Sequence, residues 1–285
     1  MPAYPFLDCA GRPLPTDRPL VMAVLNVTPD SFSDGGRYVN PRAALEHARG
    51  MVAAGADILD VGGESTRPGA EPVPIQEELD RVMPVLEALH AELDVVLSID
   101  TSKPEVMQAA LEAGVGMLND VNGLRSPRAM AVAASGSAAV CVMHMQGEPR
   151  SMQHRPQYGD VVAEVAEFLV GQAAALRARG LPANRIVLDP GFGFGKTLGH
   201  NLALFRALPT LAALGYPLLV GVSRKSMIGA LLGDRPVSER RMGSVAAALL
   251  AARAGARILR VHDVRETVDA LIILRALDID TFREG

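Results

Sequence analysis

Polar and charged side chains recur along this chain at the points where short apolar runs end. The residues at these points are Asn26, Glu64, Asp100, Asn119, His144, Asp189, Ser223 with Lys225, and His262. Carboxylate, amide, imidazole and ammonium groups can hold a polar ligand by hydrogen bonds, and they can stabilise charge that develops during a reaction. If the fold brings these residues together, the sequence predicts an enzyme with one shared cavity.

The elements that must position these residues alternate along the chain. Apolar runs predict strands near 20–26, 57–61, 95–100, 116–120, 138–143, 185–189, 217–222 and 257–262. The runs are continuously apolar, which is typical of parallel strands buried on both faces. Stretches of helical periodicity lie between them, such as Leu79, Val82, Met83, Leu86 and Leu89. This alternation predicts the α/β class and a single-domain (β/α)8 TIM barrel, in which every strand exit opens onto one face.

One barrel accounts for almost the whole length. Such a barrel typically has about 250 residues, and the chain has 285. We predict that residues 20–285 form the catalytic domain and that residues 1–19 form an N-terminal extension capping the opposite end, with a hairpin turn at Ala10-Gly11. Glycines mark the short joints from helix to strand, at Gly55, Gly114, Gly180, Gly215 and Gly255.

Composition and charge exclude several classes of protein. No apolar run reaches the 18 or more residues that a membrane span needs, and the N-terminal residues do not have the pattern of a signal peptide. We therefore expect a cytoplasmic location. Cys9 and Cys141 lack metal-ligand spacing and are predicted to be free thiols. A net charge of −4 and a pI of about 5.9, without a basic run, argue against nucleic acid and favour a small-molecule substrate.

Three strand-to-helix joints are long, at 27–40, 62–74 and 144–157, and long loops in a compact domain are usually functional or disordered. Asn26 begins the first joint and is suited to a hydrated cation or a phosphate oxygen, although an ordinary polar turn is an open alternative. The second joint combines glycines and hydroxyl groups with Arg67, a composition that suits anion capture.

The segment Asp189–Thr197 contains three glycines and a lysine, but it fits neither common nucleotide motif. A Walker A loop would need glycine at position 190, which is proline, and the dinucleotide fingerprint would need its third glycine one position later. What remains is a carboxylate followed by closely approachable backbone. Phe194 could stack on a flat ring or could simply pack in the core.

The last two strand exits carry cations. Ser223 is predicted to be a helix N-cap, next to Arg224 and Lys225, where an anionic ligand is favoured. Arg260 and His262 share one face of the last strand by two-residue alternation. A buried Arg requires a carboxylate or an anionic ligand, and an internal ion pair between Arg260 and Asp100 is an open structural alternative.

These residues divide into two predicted subsites. The first supplies both acceptors and donors for a neutral, flat heterocycle deep in the barrel, from Asp100, Asn119, Asp189 and Lys225. The second supplies polar and positive groups for a phosphate near the rim, from Asn26, Arg67, Arg260 and His262. Neither a Ser–His–Asp array nor a His or Cys metal cluster is evident in the sequence.

Taken in order, the motifs resemble bacterial dihydropteroate synthases over nearly the whole chain. The segments that carry the resemblance are Asn26–Gly36, Glu64–Gly69, Asp100–Lys103, Asn119-Asp120, Met143–Gly147, Asp189–Lys196, Ser223–Met227 and Arg260–Asp263. The resemblance implies a (β/α)8 barrel that condenses 7,8-dihydropterin-CH2 pyrophosphate with 4-aminobenzoate, giving 7,8-dihydropteroate and pyrophosphate. It also implies Mg2+ as a cofactor and a homodimer.

The resemblance further implies roles for single residues. The pterin clamp would be Asp100, Asn119, Asp189 and Lys225. The pyrophosphate and magnesium site would be Asn26, Arg67, Arg260 and His262, with Asn26 as the metal ligand. The aminobenzoate pocket would be bordered by Thr66, Pro68, Phe194, Ser223 and Lys225. Catalysis would then depend on Asp100, Asp189, Lys225, Arg260 and His262.

Two rival interpretations stay open from the sequence. The pterin-binding barrel of a methyltransferase would share the heterocycle clamp, but it has no pyrophosphate to hold, so Arg260 and His262 argue against it. A non-catalytic relative would be expected to have lost one or more site residues, and none is missing.

Overall fold

The computed structural model describes residues 5–28, 40–65, 71–148 and 151–277. Its strands are β1 (Phe6–Cys9), β2 (Arg12–Pro15), β3 (Leu20–Asn26), β4 (Ile58–Gly62), β5 (Val96–Asp100), β6 (Met117–Asp120), β7 (Ala139–Met143), β8 (Ile186–Asp189), β9 (Leu219–Val220) and β10 (Ile258–Val261). Its α-helices are α1 (Pro41–Ala53), α2 (Ile75–Glu92), α3 (Pro104–Glu112), α4 (Pro127–Ser135), α5 (Val161–Ala178), α6 (Leu198–Arg206), α7 (Leu208–Ala212), α8 (Ser226–Leu231), α9 (Arg241–Arg253) and α10 (Val264–Leu277). Short 3-10 helices cover Ala183–Arg185 and Val237–Glu239.

The main sheet is a closed ring of parallel strands. Its order is β8-β7-β6-β5-β4-β3-β10-β9, and a parallel bridge between Leu188 and Leu218 joins the two ends. Because the strands alternate with helices and all run in one direction, their carboxyl ends meet on one face. The predicted (β/α)8 barrel is confirmed.

Local sequence explains where several helices begin. The Asn40 side chain accepts from the backbone of α1, and Asp160 does the same for α5. Thr197 and His200 form a reciprocal capping box at the start of α6. These side chains satisfy N–H groups that have no partner within the helix.

A β-hairpin closes the lower end of the barrel. Strands β1 and β2 pair antiparallel, and the turn lies at Ala10 and Gly11, both with positive φ. Its buried side chains Leu7, Cys9 and Leu14 contact an apolar layer inside the barrel. We call this the base layer, and its members are Leu20, Met22, Ile58, Val96, Met117, Ala139, Cys141, Val187, Leu219 and Ile258. The hairpin turn is thus where it was expected, while the division into extension and catalytic domain stays a prediction.

On five of the eight barrel strands, β4, β5, β6, β8 and β10, the inward residues beyond the base layer are polar or charged. Side chains alternate across a strand, so the next inward position above Ile58 is Asp60, and above Ile258 it is Arg260. We call these inward residues the polar layer, and its members are Asp60, Ser98, Asp100, Asn119, Asp189 and Arg260. Its position at the carboxyl ends of the strands places it beneath the mouth of the barrel.

Two details differ from the sequence prediction. The strand predicted at 217–222 is only Leu219–Val220, because Pro217 has no N–H to donate and a turn follows, in which Lys225 N donates to Val222 O. The strand predicted at 257–262 is Ile258–Val261, so His262 follows the strand instead of ending it. Cys9 and Cys141 are both free and buried, as expected. Among the residues described, no helix is long and apolar enough to cross a membrane.

Candidate active site

An arginine between two carboxylates forms the centre of the polar layer. Arg260 donates from Nε to Asp60 Oδ2 at 2.6 Å and from Nη2 to Asp100 Oδ2 at 2.7 Å. Asp60 and Asp100 are almost wholly buried, at 0 and 7% exposure. The alternative of an Asp100–Arg260 ion pair is therefore observed, but the pair includes a second carboxylate that sequence reasoning did not single out.

This arrangement leaves acceptor capacity unused. Asp60 Oδ1, Asp100 Oδ1 and Ser98 Oγ are buried without a hydrogen-bond partner within the described ranges. An unpaired buried polar atom costs about 1–3 kcal/mol. Such a cost is compensated if a ligand supplies N–H donors, which an aminopyrimidinone ring would do.

The buried charges of Asp100 and Arg260 shift each other's pKa values. Burial raises the pKa of Asp100 to about 7, against the opposing effect of Arg260. Burial alone would lower the pKa of Arg260, but the charges of Asp60 and Asp100 outweigh it and raise that pKa above its usual value. Arg260 therefore stays charged, and Asp100 can change protonation near neutral pH.

Asn119 is fixed by the same group of residues. Its Nδ2 donates to Asp60 Oδ2 at 3.1 Å, and the side chain is buried at the end of β6. Because the amide nitrogen is committed to Asp60, its oxygen is the group left to accept from a ligand. Asp60 thus orients both Asn119 and Arg260.

Asp189 ends β8 and Lys225 follows β9, the two strands at which the ring closes. Asp189 Oδ1 accepts from the backbone N–H of Gly191 at 2.7 Å. Burial raises the pKa of Asp189, while Lys225 opposes that rise. Burial lowers the pKa of Lys225 to about 8, against the opposing charge of Asp189.

Phe192 and Phe194 orient the Lys225 ammonium. Its Nζ donates to the carbonyl of Phe192 and lies 4.4 Å from the centre of the Phe194 ring, a cation–π contact. The Phe194 ring is 9% exposed and also contacts apolar neighbours such as Met145. Core packing and ligand stacking were alternatives for Phe194, and it packs partly in the core beside Lys225.

The prediction that Ser223 is a helix N-cap is wrong. Helix α8 begins at Ser226, with Lys225 at its N-cap position and no side-chain cap. Ser223 instead contacts His262, accepting from its backbone N–H at 3.2 Å with Oγ 3.0 Å from Nδ1. The reason is the early end of β9, which places Ser223 in the turn rather than at the helix start.

Arg224 is not part of the open mouth. It adopts a left-handed backbone conformation with φ of 59° and makes two hydrogen bonds to Asp263, at 3.1 and 2.5 Å. Its backbone N–H also donates to Ser244 Oγ at 2.8 Å. These contacts anchor the turn that carries Ser223 and Lys225.

The first and second long joints are only partly described. Asn26 ends β3 at the mouth, where an added Cβ on Gly62 would lie 3.7 Å from Asn26 Oδ1 and 3.6 Å from Asp100 Cβ. Asn26 is therefore close to the polar layer. The predicted site residues Thr66, Arg67 and Pro68 lie outside the described residues, as do most of 27–40 and part of 62–74.

A second charge cluster supports the base of the 62–74 joint. Lys103 Nζ bonds to both Glu64 and Glu78, and Arg81 donates to the carbonyl of Gly63 at 2.8 Å. Glu78 is wholly buried. The chain on the N-terminal side of residues 66–70 is therefore tied to helices α2 and α3.

The polar layer joins the two predicted subsites. Asp100 was predicted for the heterocycle and Arg260 for the phosphate, yet the two side chains are hydrogen-bonded to each other. A ligand on Asp100 would therefore contact the neighbourhood of Arg260. The roles given to these residues remain predictions.

Sequence reasoning missed Asp60 and Lys196 as site residues. The signal for Asp60 is present, because it shares a strand face with Ile58 and Gly62 and is the one charged residue of that face. Lys196 closes the glycine-rich segment and is 3% exposed. Its motif was noticed, but its burial depends on the neighbouring loop and is not visible in sequence.

The donor set suits a weakly held hard cation rather than a dedicated metal cage. No group of three or more His, Cys, Asp or Glu residues in the described parts of the chain could hold a metal. Mg2+ usually keeps several waters and binds through one or two protein oxygens plus substrate phosphates. The side-chain oxygen of Asn26 at the mouth fits that pattern.

The chain is similar to known proteins in both sequence and structure. Residues 22–262 match the family described as "Pterin binding enzyme". The dihydropteroate synthase of Escherichia coli (strain K12) is 50% identical over 270 residues, covering 95% of each chain. A Xanthomonas albilineans dihydropteroate synthase solved with 4-aminobenzoic acid has a TM-score of 0.90 at 52% identity, covering 96% of this chain and 98% of that one. The Burkholderia cenocepacia enzyme complexed with 7,8-dihydropteroate has a TM-score of 0.89 at 50% identity, covering 98% of each.

Proposed function

The chain belongs to the dihydropteroate synthase family of pterin-binding enzymes, and we propose that its barrel mouth carries out the reaction of that family. The reaction condenses 7,8-dihydropterin-CH2 pyrophosphate with 4-aminobenzoate and gives 7,8-dihydropteroate and pyrophosphate. The chain is therefore a transferase of folate biosynthesis. One observation carries the assignment of the site. Five strands each contribute a residue to one buried polar layer, and these residues are Asp60, Asp100, Asn119, Asp189 and Arg260. Asp60 and Asp100 each have an acceptor oxygen without a hydrogen-bond partner within the described residues.

The pterin ring would be held in the polar layer. Asp100 and Asp189 offer carboxylate oxygens to ring N–H and amino groups, while the oxygen of Asn119 offers a further acceptor. The Lys225 ammonium would donate to the ring carbonyl. Because the layer is buried, each of these bonds is stronger than it would be in water.

The leaving pyrophosphate would be held above this layer. Arg260 is an inward residue of β10 and His262 directly follows the end of that strand, so both side chains can face the departing oxygen. Mg2+ held through Asn26 would neutralise the charge that develops on pyrophosphate. Arg67 would bind the same anion. Groups that bind this charge more strongly as it forms lower the barrier.

The 4-aminobenzoate would bind next to the pterin methylene, bordered by Thr66, Pro68, Phe194, Ser223 and Lys225. Its amine nitrogen forms a bond to the methylene carbon, the carbon–oxygen bond to pyrophosphate breaks, and one proton leaves the amine. Asp189, held against the pterin ring, would help to stabilise cationic character at that ring.

A homodimer is proposed from the exposed apolar side chains of α9 and α10. Met242 and Leu250 on α9 are 77 and 57% exposed, and Ile273 and Leu277 on α10 are 58 and 77% exposed. Large apolar side chains grouped on neighbouring helices favour burial against another surface. Analytical ultracentrifugation of wild type and Leu250→Glu tests this, with dissociation of the variant expected. The cytoplasmic location stays a prediction.

The reaction itself is tested by coupled product measurement. Pyrophosphate and dihydropteroate should appear in equal amounts when the dihydropterin substrate, 4-aminobenzoate and Mg2+ are all present. Arg260→Met is the control with a damaged site. Methyl transfer from a folate, with no release of pyrophosphate from the dihydropterin substrate, would instead assign the chain to a different pterin-binding activity.

A further inference from the structure

Lys196 is a buried lysine to which the reaction described above gives no role, and burial lowers its pKa to about 7. Its Nζ lies 3.2 Å from His144 O, 2.9 Å from Gly191 O and 3.0 Å from Phe194 O. The fourth neighbour is His144 Nδ1 at 3.1 Å. The side chain is 3% exposed, so these contacts replace water almost completely.

The chemistry of this cage fixes its protonation pattern. When Lys196 is charged it only donates, so His144 Nδ1 accepts, and the neutral ring then carries its proton on Nε2. Burial and the charge of Lys196 lower the pKa of His144 to about 3, in agreement with a neutral ring. Three ammonium protons face four acceptors. A side chain without donors would remove this hydrogen bond from the carbonyls of His144 and Phe194, whereas Gly191 O would still accept from Phe194 N.

The cage joins two strand-exit loops that approach very closely. Gly191 has φ of 69°, and a Cβ added there would lie 1.8 Å from the carbonyl oxygen of His144. A Cβ on Gly195 would lie 2.3 Å from the carbonyl oxygen of Gln146. Only glycine permits such contact. Lys196 supplies a buried polar link between the two backbones, and Gln153 and Tyr158 add hydrogen bonds to Gly193 O and Gly195 O.

The same loop carries the groups that orient Lys225. Lys196 bonds to the carbonyls of Gly191 and Phe194, which flank Phe192 in sequence. Phe192 contributes the carbonyl that accepts from Lys225, and Phe194 contributes the ring beneath its ammonium. The loop conformation that Lys196 fixes is therefore the one that places Lys225.

We propose that Lys196 is a positioning residue for Lys225. It acts by tying residues 191–195 to the loop after β7, and through them it sets the position of the Lys225 ammonium in the mouth. This proposal rests on the proposed function for its kinetic consequence, but its structural consequence can be measured in the free enzyme.

The composition of the chain makes a direct measurement possible. Lysine occurs only at positions 103, 196 and 225, so protein made with lysine carbon-labelled at Cε should give a small, assignable set of NMR signals. Each signal is assigned by its loss in Lys103→Met, Lys196→Met or Lys225→Met. The Lys225 signal should be displaced by the ring current of Phe194, because its Nζ lies 4.4 Å from the ring centre.

The expected result is specific to Lys225. In Lys196→Met, its signal should move towards that of a solvent-exposed lysine, whereas in the matched control Lys103→Met it should stay in place. Lys196→Gln, which retains two donors, should give an intermediate shift. An unmoved Lys225 signal in a folded Lys196→Met protein overturns the proposal. If neither Lys196→Met nor Lys196→Gln folds, that result also counts against the proposal, because Lys196 would then be needed for the stability of the whole fold.

Kinetics give a second readout through a double-mutant cycle. Lys225→Met should lower kcat/KM about ten- to a hundredfold, and Lys196→Met should lower it about tenfold. If Lys196 acts through Lys225, the double variant should be no slower than Lys225→Met alone. A double variant whose loss in kcat/KM equals the product of the two single losses would contradict the proposal. If wild type does not catalyse the condensation, the proposed function fails, and the NMR result still decides the position of Lys225.

Discussion

The base layer and the polar layer lie on the same strands two residues apart, yet they have opposite properties. On β10 the base layer contributes Ile258 and the polar layer contributes Arg260, and on β6 the corresponding residues are Met117 and Asn119. Fully burying a side chain such as Ile or Met stabilises the fold by about 1.5–3 kcal/mol. A buried acceptor left without a donor opposes folding by about 1–3 kcal/mol.

The difference teaches where this barrel places stability and where it places chemistry. The base layer is sealed by the hairpin and has its apolar side chains in mutual contact. In the polar layer, Asp60 Oδ1, Ser98 Oγ and Asp100 Oδ1 have no hydrogen-bond partner within the described residues. The same strands carry both layers. Stability gained by apolar burial in the base layer therefore compensates for the unpaired polar atoms of the polar layer.

The largest effect is expected from breaking the arginine–carboxylate group. Arg260→Met should lower kcat/KM by about a hundredfold or more and destabilise the protein by about 3–5 kcal/mol near pH 8, since it leaves two buried carboxylates without the cation that pairs with them. Burial already raises the pKa of Asp100, and loss of the opposing Arg260 charge would keep it above the unfolded value of about 3.9, so the stability of the variant should fall as pH rises. Urea unfolding at several pH values checks this, and a pH-independent loss would contradict it.

A matched change in the base layer should separate stability from activity. Ile258→Ala, two residues away on the same strand, should lower the free energy of unfolding by about 2–5 kcal/mol because it leaves a cavity. The kcat/KM of the folded variant should change little. Urea denaturation and steady-state kinetics measure the two quantities. A loss of activity as large as that of Arg260→Met would show that the two layers are not functionally separate.

Lys225→Met should lower activity without lowering stability, which is the reverse of Ile258→Ala, and its effect on kcat/KM should be smaller than that of Arg260→Met. Loss of a charged donor should raise the activation free energy by about 1.5–3 kcal/mol. Stability should be unchanged or higher, because burial disfavours the charged form of Lys225. Kinetics and thermal unfolding check both parts. An unchanged kcat/KM would remove Lys225 from the proposed site.

Asp189→Asn should distinguish the two substrates. The variant can still accept from the Gly191 N–H, but its other atom becomes a donor that faces pterin N–H groups. Pterin binding should weaken by about 1–3 kcal/mol, and 4-aminobenzoate binding by less. Titration calorimetry with each ligand decides this. Equal weakening of both would argue against a pterin-specific role.

The smallest effect concerns pH. Asp100 has a pKa of about 7 and Lys225 of about 8, so ionised Asp100 requires pH above the first value and charged Lys225 requires pH below the second. The kcat/KM profile should fall on both sides of this narrow range. Lys225→Arg should move the alkaline limb to higher pH, because arginine stays charged. An unmoved alkaline limb would assign that limb to another group.

Sequence reasoning was most successful where local pattern decides structure. The predicted strands at 20–26, 95–100 and 138–143 differ by at most one residue at an end from those observed, because continuous apolar runs need burial on both faces. The hairpin turn at Ala10-Gly11 was also expected. It was less successful at 217–222, where Pro217 and the turn after Val220 shorten the strand, and at Ser223, whose role depends on where that strand ends.

By itself the sequence determined the alternation of strands and helices and the polar residues at the strand exits, because periodicity and side-chain chemistry are local properties. Only the tertiary structure decided which of these residues are partners. Arg260 meets Asp100 across 160 residues and Asp60 across 200, and Lys196 meets His144 across 52. Such contacts depend on strand register and on closure of the barrel, which set the distance between side chains that no local pattern relates.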